Sequence, residues 1–197
     1  MAKIGLTGTV SVGKTTLVNA LKELEQFKGY EIATERSKYL RDQGIALNTD
    51  STLKGQIVFA AERALELMKP NIITDRTIYD VIAFTLSAKS ISKFEKRHFF
   101  DLMLDLRNEY DVVIYVSPDG VDIENNGVRE TNADYRTEID EIIRELLKAH
   151  PPKKLIEIKG STEERINIIT SQLILLVLYS ILLLKQDMPF LHHLRTI

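Results

Sequence analysis

One stretch, GLTGTVSVGKTT from Gly5 to Thr16, restricts what this chain can fold into more than any other. Within it Gly8, Gly13, Lys14 and Thr15 satisfy G-x-x-x-x-G-K-[ST], with Thr9, Val10, Ser11 and Val12 between the glycines. The run before it, KIGLT (Lys3–Thr7), is short and apolar enough for a buried strand, and a helix is expected to begin near Lys14. A strand that passes through a glycine-rich turn straight into a helix aims that helix's N-terminal amides at the turn, where few side chains stand in the way of an anion. The chain therefore has to start with a strand–loop–helix unit, and a parallel strand farther along has to complete the sheet.

Further strands are expected at Tyr30–Ala33, Asn71–Thr74, Val112–Val116 and Leu155–Ile158. The first, third and fourth of the five runs are almost continuously apolar, as strands covered on both faces are. Between them Leu53, Ile57, Ala60, Ala64 and Leu67 recur at helical spacing, as do Tyr135, Ile139, Ile142, Ile143 and Leu146. STEER (Ser161–Arg165) combines a capping serine with early acids, so a last helix should start there. The expected fold class is α/β, a doubly wound five-stranded parallel sheet, with ligands beyond the carboxyl ends of its strands. We expect one domain over residues 1–170 and an apolar helix and tail over 171–197.

The glycine-rich loop accounts for its own composition if it wraps a polyphosphate. Its binding residues would be Gly8, Val10, Ser11, Val12, Gly13, Lys14, Thr15 and Thr16. Lys14 would reach the β- and γ-phosphates, the Thr15 hydroxyl would bind Mg²⁺, and Thr16 would add a phosphate contact. The alternative is a strand–helix turn that binds nothing. A net charge of −2 argues against binding nucleic acid through bulk electrostatics, so no nucleic-acid partner is expected. The absence of cysteine excludes disulfides and thiol chemistry and suits a reducing compartment; MAKIGLTGT is no signal peptide, and a cytoplasmic location is expected.

The residues after the other strands suggest what a bound triphosphate is for. A guanine-reading Asn-Lys-x-Asp is missing. Glu35, after the second strand, stands where an acceptor hydroxyl would meet the γ-phosphate and can take its proton; otherwise it is an acid favoured by a helix N-terminus. Asp75, after the third, can orient Mg²⁺, and Arg76 can hold acceptor and phosphate oxygens together. Asp80, a turn later, would pair with Arg76 or bind the acceptor. Gln56 and Arg63 lie seven apart on the helix STLKGQIVFAAERALELM, with Phe59 between them. That face either reads a heterocycle and a sugar or is a solvated stripe with Phe59 in the core. The polar segment SPDGVDIENNGVRETNADYR has the composition of a lid, which would bring Arg129 and Arg136 onto a transferring phosphoryl; Arg136 is otherwise a helix-surface arginine.

Taken together, GTVSVGKTT, TERSKYL, GQIVFAAER, TDRTIYDVIAF and GVRETNADYR resemble the P-loop nucleoside and nucleotide kinases over roughly residues 1–170. The nearest likeness is to phage and bacterial kinase-like ATPase domains related to ribosylnicotinamide kinases, with deoxynucleoside kinases next. The resemblance implies ATP as donor, Mg²⁺ and a nucleoside-like small-molecule acceptor. It also implies a base at Glu35, a charged motif at Asp75-Arg76-Thr77, and base and sugar contacts at Gln56 and Arg63. TER and DRTIYDVIAF are also similar to thymidylate kinase, whose acceptor already carries a phosphate; Arg36, Arg41 and Arg63 are the arginines that could meet it.

From Ile166 to Leu184 the chain carries no formal charge, and LILLVLYSILLL (Leu173–Leu184) is apolar all round a helix. Such a helix is buried, paired or in lipid. Packing in the core and in a homo-oligomer is the first expectation and a C-terminal membrane anchor the alternative, since the span only approaches the ~20 residues that cross a bilayer.

Overall fold

The computed structural model describes residues 2–120 and 133–186, with positions 176–186 as backbone only. Its five strands are β1 (Lys3–Thr7), β2 (Glu31–Ala33), β3 (Ile72–Asp75), β4 (Val112–Val116) and β5 (Leu155–Ile158). All pair in parallel, in the order β2-β3-β1-β4-β5. This is the α/β sheet expected from the sequence. Three strand boundaries move by a residue: β2 begins at Glu31, because Tyr30 donates its N–H to Phe27 O in a turn, and β3 begins at Ile72 and ends at Asp75, which joins the ladder opposite Leu6.

Helices α1 (Lys14–Lys22), α2 (Ser37–Asp42), α3 (Leu53–Glu66), α4 (Ile78–Ser87), α5 (Lys93–Met103), α6 (Ala133–Ala149) and α7 (Thr162–Gln186) fill the connections. Successive side chains of a strand face opposite ways, and here both faces meet a core. Ile4 and Leu6 of β1 and Val112, Ile114 and Val116 of β4 pack with Leu17, Val18 and Leu21 of α1 and Ile169 of α7. Val113 and Tyr115 pack on the other face with Tyr79 and Ile82 of α4 and Ile139 and Ile143 of α6. Continuous apolar runs follow from that two-sided burial.

The register of α3 differs from the expected one. It buries Gly55, Gln56, Ala60 and Arg63, while Ile57 is 47% exposed. The apolar period placed Ile57 inward, but the inward face of α3 looks partly onto the end of β3. There polar backbone carbonyls need donors, and Arg63 supplies them.

α7 starts within STEER, at Thr162, as expected and runs unbroken through positions 170 and 171; Ile169 is buried and Leu173 leans on the same core. Among the described residues no helix is long and apolar enough to cross a membrane. The side chains beyond position 175, and the residues from 187 on, lie outside those described.

Candidate active site

β1 sits between β3 and β4, so the loop leaving it opens where the neighbouring strands end. Gly8 (φ +146°), Ser11 (φ +57°) and Gly13 (φ +82°) carry the turn, and Gly13 caps α1. A Cβ at Gly8 would lie 2.6 Å from the carbonyl oxygen of Val116, so only glycine fits the space and the angle. Val12 turns its side chain into the core below. The loop, α1 and the end of β3 enclose a hollow lined by Ser11, Val12, Gly13, Lys14 and Thr15 on one side and Glu35, Asp75 and Arg76 on the other.

Lys14 is buried in that hollow. Its Nζ donates to Gly8 O at 2.6 Å and Thr9 O at 2.7 Å. Burial, reinforced by the nearby Arg76 guanidinium, lowers the Lys14 pKa to about 8, against the pull of Asp80, Asp75 and Glu35. The Thr15 hydroxyl donates to Asp75 Oδ2 at 2.5 Å. Two oxygens converging at the rim of the loop fit Mg²⁺, which takes one or two protein oxygens and fills its shell with phosphate and water.

The second wall is built by a turn at Arg76, where φ is +90°. An extended strand would send Asp75 and Arg76 to opposite faces, whereas the left-handed residue lets both line the hollow. Arg76 Nε lies 3.6 Å from Glu35 Oε1, its Nη1 3.5 Å from Asp80 Oδ1, and its guanidinium stacks 4.9 Å from the Phe84 ring centre. Burial would weaken its protonation, but Glu35, Asp80 and Asp75 outweigh it and hold the group charged. Ser37 N donates to Glu35 Oε1 at 3.1 Å, fixing the carboxylate at the start of α2.

Beside the hollow lies a cavity of about 240 Å³. Val10, Phe59, Val81 and Phe84 give it apolar walls, and Gln56, only 3% exposed, offers an amide; Glu35 and Arg76 line both the cavity and the hollow.

Most of the residues expected at the site converge there, and the rest are placed elsewhere. Val10 lines the cavity rather than the hollow, and Thr16 is exposed on α1 outside both linings. Asp80 is fully buried: it accepts from Thr77 N and Thr77 Oγ1 in a capping box that starts α4, and pairs with Arg76. Arg63 lines neither space; it donates to Asp75 O, Arg76 O and Glu66. Arg136 accepts the Thr9 hydroxyl on its carbonyl at 2.8 Å, so the first turn of α6 touches the loop. Arg129 lies outside the described residues. Sequence reasoning missed Phe84, and it missed Arg165, whose Nη1 donates to Val12 O at 2.6 Å and whose Nη2 donates to Ser117 O at 3.4 Å. Phe84 lies a helical turn after Asp80 in a motif already singled out; Arg165 carried no signal beyond its place in STEER.

Comparison with known proteins agrees with this fold. A deoxyadenosine kinase from M. mycoides superposes with a TM-score of 0.63 at 19% identity, covering 87% of this chain and 98% of that one. Thymidylate kinase from Candida albicans gives 0.63 at 15% identity, covering 91% and 92%. Thymidylate kinase from Ehrlichia chaffeensis gives 0.57 at 18%, covering 89% and 98%. No curated protein matches the sequence. A family model described as an AAA domain, AAA_28, matches residues 3–165. The chain thus belongs to the AAA_28 family of AAA domains, with the fold of the P-loop nucleoside and nucleotide kinases.

Proposed function

We propose that this protein transfers the γ-phosphoryl group of ATP to a hydroxyl of a nucleoside-like small molecule. The observation that carries this reading is that Glu35 and Arg76 line both the phosphate hollow and the 240 Å³ cavity. Donor and acceptor would meet at those two side chains.

On this reading Lys14 and the loop amides hold the β- and γ-phosphates, and the cavity holds the heterocycle between Phe59 and Phe84 with Gln56 on its edge. Glu35 accepts the proton of the acceptor hydroxyl as its oxygen bonds to the γ-phosphorus. The bond from that phosphorus to the bridging oxygen breaks, and ADP keeps the electron pair. Arg76 compensates charge on the transferring group. Thr15 and Asp75 would hold Mg²⁺, which neutralises phosphate charge. Arg129 and Arg136 complete the proposal as arginines closing over the phosphoryl.

The competing reading is a nucleoside monophosphate acceptor, as in a thymidylate kinase. It would call on arginines at the acceptor besides Arg76, which lines the cavity. Arg36 pairs with Glu62 at 3.1 Å, Arg41 with Asp42 at 3.0 Å, and Arg63 is spent on backbone carbonyls; none of the three lines the cavity. A reading of another class is an ATP-binding module without an acceptor.

ADP release with ATP, Mg²⁺ and panels of nucleosides, nicotinamide riboside and monophosphates separates the three. The hydroxyl reading expects stimulation by a nucleoside and a loss of kcat of about 10²–10⁴-fold in Glu35→Gln. Stimulation by monophosphates alone, with Glu35→Gln nearly intact, favours the second reading, and turnover that no acceptor raises favours the third.

A further inference from the structure

We propose that Arg63 is a positioning residue that clamps the turn at Asp75–Arg76, and not the acceptor contact its place in the sequence suggests. Arg63 is 3% exposed. Its Nη1 donates to Asp75 O at 3.0 Å and to Arg76 O at 3.4 Å, and its Nη2 donates to Glu66 Oε1 at 2.6 Å. Arg63 itself does not line the cavity.

What the clamp holds is a strained peptide. Arg76 is a non-glycine residue at φ +90°, a conformation that persists only where its surroundings enforce it. From the other side, Arg76 N donates to Leu6 O at 2.9 Å and Thr77 N to Asp80 Oδ2 at 2.8 Å. Arg63 meets both carbonyls of the turn with one nitrogen. A guanidinium does this at a fixed angle because it is planar and itself anchored by Glu66. Burial pushes the Glu66 carboxyl up to about 7, against the pull of Arg63, so the anchor persists as a hydrogen bond when the charge is lost. The consequence for the site follows from the turn. Only while Arg76 stays left-handed do Asp75 and Arg76 line one hollow, with Asp75 on Thr15 and Arg76 on Glu35.

The kinetic half of this inference rests on the phosphoryl-transfer reading, and the conformational half does not. Amide hydrogen exchange of full-length Arg63→Met should speed up about 10-fold or more at Arg76 and Thr77, while the amides of β1 and β4 keep their protection. In turnover, kcat should fall about 10- to 100-fold with the acceptor KM within about 3-fold of wild type, and Arg63→Lys should recover part of the loss. Should Arg63→Met not fold, Arg63→Lys carries the exchange measurement, with a smaller acceleration at the same two amides. Unchanged exchange at Arg76 and Thr77 overturns the clamp. A raised acceptor KM with kcat preserved also overturns it and restores Arg63 as a substrate contact. A wild-type protein that phosphorylates no acceptor defeats the kinase reading instead, and exchange then decides the clamp alone.

Discussion

The buried lysine of the phosphate hollow gives the account a measurable pH signature. Lys14 has its ordinary pKa of 10.5 lowered to about 8 in the free protein, chiefly by burial. A bound triphosphate places several negative charges against that ammonium, which returns its pKa toward or above the ordinary value. Between these two values the free protein holds fewer protons than the complex, so binding takes up a proton and affinity falls as pH rises. At pH 9 a group of pKa near 8 is about nine-tenths neutral, so binding should take up close to one proton and Kd should be about 10-fold weaker than at pH 7. The phosphates themselves are already ionised throughout this window. Calorimetry of MgATP binding at pH 7 and pH 9, each in two buffers of different ionisation enthalpy, reads both quantities. Lys14→Met should abolish the uptake and flatten the profile. The same lowered pKa acts on folding: the unfolded chain binds the extra proton between about 8 and 10.5, so this group's contribution raises stability as pH climbs through that interval. A Kd constant from pH 7 to 9 with no proton uptake would refute the placement of Lys14 against the phosphates.

Further expectations concern single residues. Gly8→Ala drives a Cβ to 2.6 Å from Val116 O at φ +146°, so thermal unfolding should show a loss of about 1–3 kcal/mol and nucleotide binding should weaken with it; an unchanged midpoint contradicts the loop geometry. Asp75→Asn keeps the shape beside Thr15 but removes a charge, and should raise the Mg²⁺ concentration for half-maximal turnover at least about 10-fold. Arg165→Met leaves Val12 O and Ser117 O without their donor and should cost about 1.5–3 kcal/mol in denaturant unfolding; a neutral result would show that α7 does not brace the loop.

How far the sequence revealed this arrangement depends on what each residue answers to. The loop was legible because its composition, two glycines and then Lys14 and Thr15, is dictated by local geometry. Lys3–Thr7 and Val112–Val116 were legible because two-sided burial leaves an unbroken apolar run. Asp75 and Arg76 were placed by topology, since the end of a strand next to β1 has to face the loop. The rotation of α3 was hidden. Periodicity treats Ile57 as core and Arg63 as surface, yet Arg63 is buried because it has carbonyls to satisfy and Ile57 is left outside. Arg165 was hidden for the same reason: a charge in a helix's first turn reads as capping until a carbonyl 153 residues away is seen to be its partner. Left-handed backbone at Arg76, which brings two neighbours to one hollow, has no sequence signal in an arginine.

In the proposed reaction phosphorus leaves ATP for a hydroxyl oxygen held beside Glu35. ³¹P NMR of the protein with ATP, Mg²⁺ and a nucleoside panel observes that bond directly. The account predicts a growing phosphomonoester resonance matched by ADP, dependent on one nucleoside and suppressed in Glu35→Gln. ATP that stays intact with every acceptor, or that yields only inorganic phosphate, would contradict it.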